Sequence, residues 1–166
     1  MSSAEASWST QQLTEFLATV SSFTNEDAAE RGAIERVAEA LEAEVAILVT
    51  DGSVVASVGF PEDSLPEEDI LGVLRRRDKL VVPGTGPCPT VILSIEEDPP
   101  IQLIVARSGA GGFSHEEMDL LRGMGRVLSL TLALLRALAM SRLDAVAAER
   151  ARADAVKGAI LESALD

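Results

Sequence analysis

The sequence predicts an α+β domain: an antiparallel sheet of about five strands, with N- and C-terminal helices on one face and a long helix closing the chain. Three observations carry this. Apolar residues recur at helical spacing near both ends and with period two in the middle. The strand-like runs come in adjacent pairs joined by turn residues, as antiparallel hairpins do. A single helical run separates the first pair from the later strands, so the alternation of strand and helix that builds a parallel sheet is missing.

The elements follow in order. In "WSTQQLTEFLATVSSF", Trp8, Leu13, Phe16, Leu17 and Val20 share one helical face, and Ser9 or Thr10 is placed to cap it. "NEDAAERGAIERVAEALEAE" repeats the pattern through Ala33, Ile34, Val37, Ala40 and Leu41, with acids in the first turn where the helix dipole favours them. "VAILVTDGSVVASVGF" then reads as strand, turn, strand, with Asp51-Gly52 as the hairpin signal. "PEEDILGVLRRRD" is a short helix opened by Pro66 and acids and closed by Arg75, Arg76 and Arg77. "KLVVPGTG" is a short strand, and "PTVILSIEEDPPIQLIVARSG" gives two more around Asp98-Pro99-Pro100. Ser114 and Glu117 form a capping box before the last apolar run. From His115 onward alanine, leucine and mixed charges favour uninterrupted helix to about Leu165, on the order of 75 Å at ~1.5 Å per residue.

Composition narrows the function. With 47% apolar residues the 166-residue chain can build one core. Four Phe, one Trp and no Tyr make that core aliphatic. A net charge of −13 argues against phosphate-backbone or anionic-membrane binding. The N-terminus lacks a signal-peptide pattern, and "VLSLTLALLRALAM" is short for a bilayer and holds Arg136, so a soluble cytoplasmic protein is expected. The lone Cys88 excludes an internal disulfide.

The element order from Trp8 to Ala139, and above all "IQLIVARSGAGGFSHEEMDLLRGMGRVLSLTL", resembles a GAF domain, a sensory module of bacterial signalling proteins. The resemblance implies a GAF-like domain over 8–139 and a coiled-coil-like helical linker over 140–166 leading to a downstream domain. "AILESALD" looks like the run-up to a PAS domain, and the stop at Asp166 agrees with a larger regulator. The resemblance also implies a ligand pocket on the sheet face opposite the terminal helices. Strand alternation puts Thr90, Ile92, Ser94, Gln102, Ile104 and Ala106 on that face, and the bulkier Val91, Leu93, Ile95, Ile101, Leu103 and Val105 against the helices. The segment from Phe60 to Thr90 is short for a GAF lid, and the NKxnFxxxDE pattern of cyclic-nucleotide-binding members is missing. A small, shallow or missing pocket is therefore expected.

Other chemistry finds little footing. "SGAGGFS" lacks the third glycine and following strand of a dinucleotide loop. Cys88 is followed by Pro89, where bilin-binding members carry His. His115, the sole histidine, follows a helix cap and is expected in solvent, which disfavours a haem ligand. The three arginines are explained as a helix C-terminus. No nucleophile–base pair stands in a recognisable context, so no enzyme and no cofactor is expected, and a methionine-sulfoxide-reductase-type GAF enzyme would need more cysteines.

The last helix carries the remaining signal. Leu121, Leu128 and Leu135 recur every seven residues, with Met124 and Leu138 at the matching positions; Leu143 and Val146 continue after a phase shift, then Arg150, Ala153, Lys157 and Ile160. A parallel homodimer through the first and last helices is expected, with Leu13, Phe16, Leu121, Met124, Leu128, Leu135, Leu138, Leu143 and Val146 at its interface. Its function would be to relay a conformational signal along the helix; a ligand-free dimerisation spacer is the alternative.

Overall fold

The computed structural model describes residues 3–76, 79–109 and 111–165. The chain resolves into two compact units, Met1–Leu132 and Ala133–Asp166.

In the first unit, α1 (Ser3–Ser21) is followed by α2 (Glu26–Ala40). α1 begins a full turn and more before Ser9 and Thr10, which lie inside it rather than capping it. Ala4, Glu5 and Ala6 are good helix formers and extend the helix outward. The Asn25 side chain caps α2 by accepting from the Ala28 backbone N–H at 2.9 Å, and Glu26 and Asp27 follow in its first turn. The buried face of α2 is largely Ala29, Ala33, Ile34, Val37 and Ala38, small enough for the helix to lie close on β1 and β2.

β1 (Val45–Thr50) and β2 (Ser53–Val58) form the predicted hairpin. Asp51 and Gly52 both have positive φ, 50° and 75°, as a two-residue turn matched to strand twist requires. A one-turn 3₁₀ helix (Glu62–Ser64) precedes α3 (Glu67–Arg76). Arg75 and Arg76 are exposed at its end; Arg77 lies outside the described residues. β3 (Leu80–Val82) and β4 (Gly86–Cys88) make a small sheet of their own, while β5 (Thr90–Glu97) and β6 (Pro100–Ala106) join the first hairpin. The main sheet is antiparallel in the order β2-β1-β6-β5.

The fold class is the predicted one, with the strands divided four and two between separate sheets. β4 carries no strand signature in the sequence, since its three residues include Pro87 and are followed by Pro89.

The sheet has a core on each face. Val45, Ile47, Val49, Ile104 and Ala106 meet Ile70, Val73, Leu80, Val82 and Cys88 from α3 and the small sheet. Alternation turns Ala46, Leu48, Ile101, Leu103 and Val105 to the other side, all buried. There the first part of α4 (His115–Leu165) supplies Leu120, Leu121, Met124, Leu128 and Leu132. Each such leucine contributes roughly 1.5–3 kcal/mol by leaving water. A Cβ on Gly125 would meet Leu93 at 3.1 Å and Ile95 at 3.5 Å, which places α4 directly over β5.

Candidate functional site

The six residues expected to line a pocket form three cross-strand pairs: Thr90 with Ala106, Ile92 with Ile104, and Ser94 with Gln102. All six therefore share the face turned toward α3. Ile104 and Ala106 are fully buried in the core described above, and Ile92 packs against it. The two ends are polar and more open: Ser94 is exposed and Gln102 half-buried at one, and Thr90 is half-buried at the other. This face is an apolar core under α3 with a polar edge.

Cys88 is fully buried in the same core, donating weakly to the Gly86 carbonyl at 3.5 Å. Burial pushes its thiol pKa up, and the Glu44 charge adds to this, so it stays protonated and unreactive at neutral pH. His115 is exposed on the first turn of α4.

Clefts open on the helical side instead. One of about 480 Å³ lies between α1 and α2, lined by Ala18, Phe23, Gly32 and Arg36 among others. Another of about 540 Å³ is bordered by Trp8, Glu15, Arg36, Glu42 and Glu117. Arg36 bridges the two helices, pairing with Glu15 of α1 and with Glu39 at 2.9 Å.

A densely connected polar group in the unit is Arg107, one residue past β6. Its Nη1 donates to the Leu41 carbonyl at 2.8 Å and to Glu117 Oε1 at 2.7 Å. Its Nη2 donates to Glu117 Oε2 at 3.0 Å and to the Gly112 carbonyl at 2.5 Å. The guanidinium also lies 4.2 Å from the centre of the Phe113 ring. One side chain thus ties the end of α2, the backbone at Gly112 and the first turn of α4. The bidentate bond from Arg107 holds the Glu117 carboxyl below the usual carboxylate range, and Glu117 in turn raises the Arg107 pKa. The predicted capping box forms as well, with Ser114 N–H to Glu117 Oε2 at 2.7 Å and Glu117 N–H to Ser114 Oγ at 3.1 Å. Glu44 completes the cluster, accepting from the Ser108 hydroxyl and, at 2.9 Å, from its backbone N–H. Those bonds lower the Glu44 pKa. Sequence reasoning found Glu117 through its capping motif; it did not find Arg107, because Leu41 lies 66 positions away.

The residues expected at a dimer interface separate into two groups. Phe16, Leu121 and Met124 are 0% exposed and Leu128 1%, all within the chain's own core. Leu135 is 9% exposed, and Leu13 lies beside Gly123 of α4. Leu138, Leu143 and Val146 are 45%, 65% and 50% exposed. Further exposed apolar residues are Leu17 on α1 and Leu130, Leu134 and Met140 on α4. By length and composition α4 also holds a stretch apolar enough to cross a membrane, of which 22% is buried inside the chain.

No known family's sequence profile matches the chain, and no curated protein resembles it in sequence. Solved structures do resemble it. The GAF domain assigned to a sensor histidine kinase of Pseudomonas syringae pv. tomato superposes with a TM-score of 0.62 at 17% identity, covering 86% of this chain and 96% of that one. GAF domains of phosphoenolpyruvate-protein phosphotransferases superpose as well. The one from Coxiella burnetii gives 0.61 at 16% identity, covering 80% and 96% of the two chains. The one from Acinetobacter gives 0.56 at 16%, covering 82% and 97%. Two helices leading an antiparallel sheet, a helix and small hairpin capping one face, and a long helix closing the other are thus a known arrangement: this chain has the fold of a GAF domain.

Proposed function

We propose that this chain is a regulatory GAF-type module of a soluble, cytoplasmic signalling protein, which dimerises and relays a conformational change through α4 to a downstream PAS or other output domain. The observation that carries this is α4 itself. Its first turns are pinned by Arg107 and its early leucines belong to the core, yet the same helix continues through Leu138, Leu143 and Val146 with apolar side chains in water. A helix built into a domain at one end and left uncovered at the other is suited to carrying strain outward. The relay would work as a population shift between two packings of the helix pair.

A second reading is favoured by the filled core under α3: a dimerisation spacer that senses no small molecule. Ile104 and Ala106 are sealed by α3 and the small sheet, so that face offers a ligand only its edges, at Ser94 and Gln102 and at Thr90. Native mass spectrometry of the full chain, purified without added ligand, tests both. A dimer carrying extra mass supports a ligand-responsive relay, a bare dimer fits the relay or the spacer and leaves ligand sensing without support, and a monomer at micromolar concentration overturns dimerisation.

A further inference from the structure

The end of α2 has a geometry that ordinarily takes glycine. The Glu42 N–H donates to the Glu39 carbonyl at 3.2 Å and the Ala43 N–H to the Ala38 carbonyl at 2.9 Å. This pair of bonds closes the helix by turning the backbone left-handed at Glu42, where φ is 50°. A side chain there crowds its own backbone, which glycine would avoid. Glu42 is exposed, so packing does not explain its presence.

Its neighbour is Arg107. Arg107 Nη1 donates at 2.8 Å to the carbonyl of Leu41, the residue just before Glu42. Glu42 and Glu117 border the same cleft of about 540 Å³. The Arg107 pKa is raised chiefly by the Glu117 bond, with the Glu42 and Glu44 charges adding to it. Glu44 is committed elsewhere, to the Ser108 hydroxyl and backbone N–H. Two carboxylates from different elements, Glu42 after α2 and Glu117 on α4, are thus left to compete for one guanidinium, and Glu117 holds it through bonds of 2.7 and 3.0 Å.

We propose that Arg107 is a two-position latch: on Glu117 it ties α4 to the end of α2, and swung to Glu42 it frees the first turn of α4 from that tie. This rests on the relay proposed above and names where the movement of α4 is released. The swap exchanges one charge-assisted pair for another. Glu117 keeps its 2.7 Å bond from the Ser114 N–H, so the helix start stays capped. What α4 gives up is the link to α2, together with the Arg107 contacts to the Gly112 carbonyl and the Phe113 ring. Ser9 of α1 still donates to Glu116 at 2.7 Å, so the released turn is held on the α1 side.

Hydrogen exchange of the full chain, followed at the amides of residues 118–121, tests the latch. Glu117→Gln keeps a capping side chain and gives up the charge, and should speed exchange there about tenfold. Glu42→Gln removes the alternative partner and should slow exchange about threefold, an effect that should vanish once residue 117 is Gln. A Glu42 that merely ends α2 would leave exchange unchanged or speed it on substitution, and either result overturns the latch. Strict additivity of the two substitutions also overturns it, because the two carboxylates would then not share Arg107. So does an unchanged rate in Glu117→Gln, since Arg107 would not be holding the turn. These readings lie within the first unit and are the same in a monomer or a dimer, so failure of the relay and failure of the latch are told apart.

Discussion

The stretches of α4 before and after Leu132 both carry leucines at helical spacing, yet most of those leucines have opposite fates. Leu121 and Leu128 are 0% and 1% exposed, while Leu143 is 65% exposed. The difference lies in what the chain provides opposite them. Before Leu132 the sheet is within reach, and Leu93 and Ile95 close on Gly125. Beyond it, every described residue from Ala137 to Leu165 is exposed. A heptad pattern therefore reports an apolar stripe and says nothing about whether the stripe meets its own fold or another chain.

The sharpest way to break this comparison is to truncate a leucine on each side. Leu128→Ala should cost about 3 kcal/mol of folding stability, read by urea or thermal unfolding, because it leaves a cavity in a closed core. Gly32→Ala comes next at about 2 kcal/mol, since an added methyl would overlap the Phe23 ring and must push it aside. Arg107→Met should cost about 2 kcal/mol by stranding Glu117 and two backbone carbonyls at once.

A pH titration sharpens the same point. The Glu117 carboxyl is held below its unfolded pKa by Arg107. Its contribution is thus complete above the unfolded value of about 4.3 and is lost as pH falls through the lower folded value. Arg107→Met should flatten that acid limb of the stability profile, and an unchanged limb would mean the pair is not the source. The smallest effect belongs to Leu143→Ala, within about 0.5 kcal/mol for folding of the first unit, with its loss appearing instead in dimer affinity. A large drop in folding stability there would show that the exposed stretch is covered after all.

What could be read in advance was what local chemistry governs. Period-two alternation assigned the two sheet faces, Asp51-Gly52 marked the first hairpin, and Ser114 with Glu117 marked the start of α4. Longer-range outcomes were not legible. Nothing near Arg107 announces that it reaches Leu41, and nothing in "PGTGPCPT" announces that Gly86–Cys88 pairs with Leu80–Val82. The candidate pocket face was legible in its membership, as three cross-strand pairs, and illegible in its filling, which depends on α3 and the small sheet closing over it. The start of α1 was misplaced because two capping-type residues at 9 and 10 were read as a boundary, whereas Ser9 donates to Glu116 at 2.7 Å across to α4.

The close seat of Gly125 over β5 also limits how α4 can move. Already at this position a single methyl would crowd Leu93 at 3.1 Å. A one-turn slide along the helix axis, about 5.4 Å, would bring Leu121 or Ser129 over that spot, and Ser129 is itself tethered to Glu96 at 2.8 Å. The glycine marks the closest approach of helix to sheet, where a piston-like slide of a whole turn would have to push Leu93 aside.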